Sequence, residues 1–300
     1  MAGQRTLALH FGALGDFVLS WPALGLLLSG PPPNELHLLA NPAWGELILP
    51  QERIRDRESG RLAGLFLMEP AGEADEWLAG FKRAVVFAFR PDPALLAHLR
   101  LAGIKEIWPL PTRPTPAQRL HAGELQVQAL RARGLSGPAL APPLRLGPPA
   151  EKGPPVIAPG SGGAAKRLSP ELTARAARRL TKAYGPPLLV LGPAEGPERD
   201  PTWRADLTQA LAGVPHKVMD CPPITELAQA LQATPAYLGA DSGVTHLAAA
   251  LGAPTLAVFQ ASDPAIWAPR GVLARVCSPA NLEPALESVL HGPLPGETPI

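Results

Sequence analysis

Cysteine is nearly missing from this chain, with only Cys221 and Cys277 among 300 residues. The two lie far apart and match no metal-ligand spacing. That excludes a disulfide-stapled scaffold and makes a reducing cytosol the default compartment. An excess of either charge is also missing, because 27 Lys and Arg stand against 26 Asp and Glu. No global field therefore favours nucleic acid or an anionic membrane. Charged residues are only 18% of the chain, fewer than is usual in globular proteins. Long hydrophobic runs are absent: no stretch of about eighteen uncharged apolar residues occurs, so no spanning helix is expected. Residues 7–28 are the most apolar stretch, but His10, Asp16 and Pro22 interrupt it and no typical cleavage site follows. An export signal is not expected there.

Proline is the residue in surplus. Its 39 copies are more than twice the usual share, and many separate one element from the next. Together with few Cys and Met, this fits a thermophile or a GC-rich genome equally. The length suits two domains, each with its own core. Short apolar runs predict strands at 6–11, 35–40, 62–67, 84–89 and 104–108, with helices at 15–28, 92–101 and 117–133. Residues 137–155 carry too much proline for a periodic element and read as a semi-rigid linker. Alternation then restarts, with strands at 155–158, 187–191, 236–239, 254–259 and 273–277. Helices are expected at 170–184, 202–211, 224–234, 244–251 and 281–290, and residues 292–300 read as a frayed tail. Such alternation predicts α/β architecture, two doubly wound parallel sheets with helices on both faces. The expected domains are 1–145 and 153–280, followed by a closing helix over 281–291. In such sheets ligands bind beyond the carboxyl ends of the strands, so the polar loops there are the places to search.

The richest of these loops is Asp241-Ser242-Gly243, between an expected strand and a short apolar helix. Free N–H groups and the helix dipole at such a point suit an anion, and Gly243 permits close approach. His246 follows in the first helical turn, where it serves either packing or a phosphate or sugar contact. The loop Pro159-Gly160-Ser161-Gly162-Gly163-Ala164-Ala165-Lys166-Arg167 precedes a helix start at Ser169-Pro170. It lacks the Walker frame, yet glycines beside a Lys-Arg pair suit phosphate oxygens as well as they suit a flexible turn. Glu195, in Gly192-Pro193-Ala194-Glu195, is either a solvated loop carboxylate or an acceptor for the two hydroxyls of a ribose. Near the N-terminus, Gly12-Ala13-Leu14-Gly15-Asp16 allows a tight turn. Asp16 there either complements the helix start or projects as a general base.

In order, GALGD, PGSGGAAKR, LGPAE, DSGVTHLAAALGAPTLAVF and SDPAIWAP resemble glycosyltransferase family 9, the ADP-heptose:lipopolysaccharide heptosyltransferases and their relatives. The resemblance covers nearly the whole chain, and DSGVTHLAAALGAPT is its specific part. It implies a GT-B fold, two Rossmann-like domains with a cleft between them. The first domain would bind acceptor and the second a nucleotide-sugar donor, with helix 281–291 packing back on the first. By the same resemblance Asp16 matches the catalytic base, with Gly12 and Gly15 in the acceptor-side loop. Lys166 matches the basic residue facing the diphosphate, and Gly160, Ser161 and Arg167 lie in its loop. Glu195 matches the ribose carboxylate, and Asp241, Ser242, Gly243 and His246 match the phosphate and sugar motif. The family's first motif usually carries a basic residue and a serine before its Gly-Asp pair; here His10, Phe11 and Gly12 occupy that region.

The implied chemistry is inverting, metal-independent transfer of a heptose or related sugar to a cell-surface glycan or glycolipid. The donor is a nucleoside diphosphate sugar, ADP-linked by preference, and no cofactor, metal or nucleic acid takes part. The implied location is cytoplasmic, with peripheral contact at the inner membrane left open. A nucleotide-sugar epimerase of the same fold and a catalytically silent nucleotide-sugar-binding relative are the alternatives.

Overall fold

A computed structural model describes residues 4–29, 34–56, 73–115, 117–149, 151–196 and 198–291. The expected strand at 62–67 and the tail at 292–300 lie outside these residues. The chain divides into two compact units, Met1–Arg145 and Leu146–Ile300.

In the first unit the elements run β1 (Arg5–His10), α1 (Leu14–Leu19), α2 (Trp21–Leu28), β2 (Glu35–Leu39), α3 (Pro42–Gly45), β3 (Ile54–Arg55) and α4 (Glu73–Leu78). They continue with β4 (Arg83–Phe87), α5 (Pro93–Leu101), β5 (Glu106–Leu110) and α6 (Ala122–Arg131). The strands form one parallel sheet in the order β3-β2-β1-β4-β5. The order reverses direction beside β1, so the switch point faces the Gly12–Asp16 loop. Leu7, Leu9, Leu39, Val86, Leu95 and Leu99 belong to this unit's core.

Two expectations here need correction. The single helix at 15–28 is two helices meeting at Ser20, because Pro22 has no N–H to continue the first and crowds its preceding turn. The helix at 117–133 begins only at Ala122, where the ring of His121 accepts from the N–H of Gly123 at 3.2 Å.

The second unit contains β6 (Val156–Ala158), α7 (Pro170–Tyr184), β7 (Leu188–Leu191), α8 (Pro201–Ala210), β8 (Lys217–Asp220), α9 (Ile224–Ala233) and β9 (Tyr237–Ala240). It closes with α10 (Gly243–Ala250), β10 (Thr255–Val258), α11 (Pro264–Trp267), β11 (Ala274–Cys277) and α12 (Leu282–His291). Its parallel sheet has the order β11-β10-β9-β6-β7-β8, with the switch point between β6 and β9. The strand β8 was not expected: it lies at a sheet edge, is mostly exposed, and has no apolar run to signal it.

Leu282 and Leu286 of α12 are part of the second unit's core, with Ala285 packed against it. Arg175 and Arg179 of α7 also pair with Glu283 and Glu287 of this helix. These contacts join α12 to the second unit.

The proline surplus has a structural use. Pro93, Pro170, Pro201 and Pro264 each open a helix whose preceding residue supplies a capping oxygen: Asp92, Ser169, Asp200 and Asp263. Proline at the first position loses no hydrogen bond, and its fixed φ already suits a helix. The described residues of the stretch 137–155 form no helix or strand, as expected, but two of their N–H groups are held. The N–H of Arg145 bonds the Leu47 carbonyl at 2.8 Å, and that of Gly153 bonds the Ala233 carbonyl at 2.9 Å.

Candidate functional site

The strand order of the second unit brings two loops together that are distant in sequence. Residues 159–167 leave the end of β6, and Asp241-Ser242 leaves the end of its neighbour β9. Asp241 is the hub, only 5% exposed. Lys166 Nζ lies 2.7 Å from Asp241 Oδ2, and the Ser262 hydroxyl from the β10 loop donates to the same oxygen. Ser161 Oγ donates to the Asp241 carbonyl at 2.8 Å. His246 Nε2 stands 3.7 Å from Oδ1, beyond ordinary hydrogen-bond length. Burial alone would raise the carboxyl pKa. The nearby His246 and the hydrogen bonds from Lys166 and Ser262 outweigh it and lower the pKa to about 2. Asp241 is therefore a fixed anion, and its charge is answered by a lysine whose side chain remains 37% exposed.

Ser242 precedes α10 in an extended conformation, and its side chain makes no capping bond. The first turn of any helix presents N–H groups with no partner inside the helix. At α10 that turn follows Asp241, the partner of Lys166, and includes His246, whose buried Nδ1 has no hydrogen-bond partner. Gln260 fixes the β6 loop from the β10 side, donating to the carbonyls of Ala165 at 3.1 Å and Arg167 at 2.5 Å.

Arg167 and Glu195 form a second cluster. The Arg167 guanidinium donates to Ser161 O at 3.2 Å, Asp200 Oδ2 at 2.5 Å and Ala194 O at 2.9 Å, and lies over the Trp203 ring. These contacts make Arg167 a brace between loops. Glu195 is 4% exposed; its Oε2 accepts from the Gly192 N–H at 2.9 Å, while Oε1 lies 3.9 Å from Arg167 Nε with no hydrogen bond. A Cβ on Gly160 would sit 2.2 Å from the Glu195 carboxyl carbon, so a side chain there would displace that carboxylate.

In the first unit, Asp16 occupies the first turn of α1, and its carboxylate has no hydrogen-bond or ion-pair partner among the described residues. Gly12 makes room for it: a Cβ there would meet Asp16 Cβ at 2.9 Å and His10 Cε1 at 3.0 Å. Gly15 lies one residue before Asp16 within α1. His10 lies behind the loop, 2% exposed between the Phe17 and Phe87 rings, with Nε2 3.3 Å from Ser20 Oγ. Burial lowers its pKa to about 4, so at neutral pH the ring is uncharged.

Sequence reasoning missed Ser262 and Gln260 as site residues. Their position just past β10, next to the strand that ends at Asp241, was the available signal. Among the described residues, no group of three or more His, Cys, Asp or Glu could hold a metal ion, and no helix is long and apolar enough to cross a membrane.

The glycosyltransferase family 9 (heptosyltransferase) model matches residues 190–289, the part that carries β9, Asp241 and α10. No curated protein sequence matches the chain. Among solved structures, Escherichia coli ADP-heptose lipopolysaccharide heptosyltransferase II is similar at TM-score 0.72 and 20% identity, over 96% of this chain and 98% of its own. A family 9 glycosyltransferase of Veillonella parvula gives TM-score 0.74 at 15% identity, over 97% and 98%. The E. coli heptosyltransferase WaaC with ADP gives 0.66 at 15%, over 95% and 100%. The two parallel α/β sheets, their order and these matches agree on GT-B architecture. Residues 190–289 thus match the glycosyltransferase family 9 (heptosyltransferase) model, and the whole chain has the fold of the heptosyltransferase structures.

Proposed function

We propose that the protein transfers a sugar, a heptose or a related one, from a nucleoside diphosphate donor to a cell-surface glycan or glycolipid, with inversion and without a metal ion. The observation that carries this reading is the Lys166–Asp241 pair beside the open first turn of α10. Asp241 holds the lysine in place by one contact, while the exposed part of the ammonium remains available to a diphosphate oxygen. Asp16 supports the other half of the reaction, since its carboxylate is not consumed by capping.

In the reaction, the acceptor hydroxyl oxygen forms a bond to the anomeric carbon as the bond from that carbon to the diphosphate oxygen breaks. Asp16 takes the hydroxyl proton, and the electron pair leaves on the nucleoside diphosphate. Lys166 and the N–H groups of Gly243 and Val244 stabilise that growing charge, an arrangement of preset donors typically worth a few kcal/mol. Asp241 and His246 serve the phosphate and sugar, Gly160 and Ser161 shape the loop beneath, and Glu195 accepts ribose hydroxyls once its loop admits them. ADP is the favoured nucleotide, and no cofactor is invoked. Placement in the cytoplasm, with the acceptor met at the membrane face, completes the proposal.

The fold is also similar to UDP-GlcNAc 2-epimerase of Methanocaldococcus jannaschii, at TM-score 0.55 and 11% identity, which supplies the second reading. Calorimetric titration with ADP, UDP, GDP, TDP and CMP tests the first. One diphosphate should bind selectively, and Lys166→Ala should weaken it by about 1–3 kcal/mol, the scale of a charged hydrogen bond. Binding that ignores the Lys166 substitution removes this residue from the donor site. Sugar turnover that needs no acceptor replaces transfer with epimerisation.

A further inference from the structure

Glu195 ends a single tight turn, Pro193–Glu195, that follows β7. The last carbonyls of a helical turn find no partner inside it. Here two guanidiniums supply the donors. The Ala194 carbonyl accepts from Arg167 Nη2 at 2.9 Å, and the Glu195 carbonyl accepts from Arg204 Nη1 at 3.1 Å. Each guanidinium is fixed in turn by a carboxylate. Arg167 is held by Asp200, the capping residue of α8. Arg204, one turn into α8, bonds both carboxylate oxygens of Asp220, the last residue of β8. Such a two-point pairing sets the plane of the guanidinium as well as its position. Arg204 also holds the Asp220 carboxyl below the usual range, so the pair is charged.

The side chain of Glu195 is only half satisfied. Oε2 accepts from the Gly192 N–H, while Oε1 is buried with no hydrogen bond, 3.9 Å from Arg167 Nε. A buried carboxylate oxygen without a donor costs free energy until a ligand brings one. Rotation of the turn toward solvent would hydrate Oε1 and remove that cost, so the backbone must be restrained against it. Arg204 is placed to do this. Its hydrogen bond to Glu195 goes to the backbone carbonyl, so it restrains the residue without occupying the carboxylate.

We propose that Arg204, oriented by Asp220, is a positioning residue for ribose recognition: by tying the Glu195 carbonyl to α8 and β8, it keeps the carboxylate buried with Oε1 free for a ribose hydroxyl. This inference rests on the reading of Glu195 as the ribose acceptor. Arg167 bonds the neighbouring carbonyl, but it also lies beside the carboxylate and bonds the β6 loop, so its removal would change more than position.

The test compares the calorimetric affinities of ADP and deoxy-ADP, which lacks one ribose hydroxyl. Wild type should prefer ADP by about tenfold, the scale of a hydrogen bond to a charged group. Arg204→Ala should reduce that preference to about twofold while leaving deoxy-ADP affinity little changed, since only the ribose contact is lost. Asp220→Ala leaves the guanidinium but removes its anchor, and should lower the preference in the same direction. In a Glu195→Ala background, Arg204→Ala should alter the preference no further. Thermal melts establish that each variant is folded; if Arg204→Ala is not, Asp220→Ala decides by the same criterion. Arg204→Ala with the wild-type preference overturns the inference, and an equal loss of both affinities makes Arg204 a brace of the fold alone. A wild-type protein that binds ADP and deoxy-ADP equally rejects the reading of Glu195 itself, and ADP that does not bind rejects the donor site; the inference falls with either.

Discussion

Lys166 Nζ and Asp241 Oδ2 lie 2.7 Å apart although 75 positions separate them in sequence. The contact joins the loops after two neighbouring strands, and Asp241 is far more buried than its partner. Removing the lysine leaves a buried carboxylate without its cation. Lys166→Ala should therefore lower stability as well as diphosphate affinity, by about 2 kcal/mol after allowance for the lysine's partial exposure. Adding Asp241→Asn should restore much of the stability but not the affinity, as urea melts and calorimetry would show. Equal stability in wild type and Lys166→Ala would mean the pair contributes nothing to the fold.

The same aspartate should shape acid stability. Its folded-state pKa of about 2 lies below the ordinary 3.8, so the unfolded chain binds its proton more readily. The contribution is full above pH 3.8 and is lost as pH falls toward 2; it amounts to about 2 kcal/mol. Asp241→Asn should flatten the stability profile across that window and leave its shape above pH 5 unchanged. Unfolding free energies of the two proteins at pH 2.5 and 5 provide the comparison.

His10 should act in a higher window. Burial lowers its folded-state pKa to about 4 from the ordinary 6.5, and the neutral ring is the native form. Between these values the unfolded state binds more protons, so stability rises with pH. The contribution is full above pH 6.5 and lost as pH falls to about 4, an effect of about 3 kcal/mol. His10→Gln should remove that slope. A slope equal to that of wild type in denaturant titrations at pH 4.5 and 7.5 would place the ring in contact with water.

Asp16→Ala should reduce kcat by at least about a hundredfold, the lower bound for loss of a general base. Diphosphate affinity should stay within about twofold of wild type, because Asp16 belongs to the first unit and the proposed phosphate site to the second. Transfer at an undiminished rate would exclude Asp16 as the base.

Gly25→Ala probes the stretch that follows α6. A Cβ at Gly25 would lie 1.8 Å from the Leu140 carbonyl oxygen, a backbone atom that can move only with its segment. Destabilisation of about 1–3 kcal/mol is expected, the usual range for overpacking. An unchanged melting temperature would show that residues near Leu140 are not held against α2.

The sequence by itself determined much of this molecule. Alternating apolar runs and helical patterns fixed two parallel α/β units, because buried strands and capped helices carry their own local signatures. Ser169-Pro170 predicted the start of α7 to the residue, since capping depends on atoms only a few positions apart. Asp241-Ser242-Gly243 read as a strand-to-helix turn for the same reason. Contacts set by strand order were not legible. No local pattern says that β9 lies between β6 and β10, and that placement delivers Lys166 and Ser161 from one side and Ser262 from the other to Asp241. Arg167 read as one of a Lys-Arg pair in a glycine-rich loop; its bonds to Ser161, Ala194 and Asp200 join loops that no local pattern links. Local physics chose the elements, and the tertiary structure chose their neighbours, because side-chain chemistry acts over a few ångströms whatever the separation along the chain.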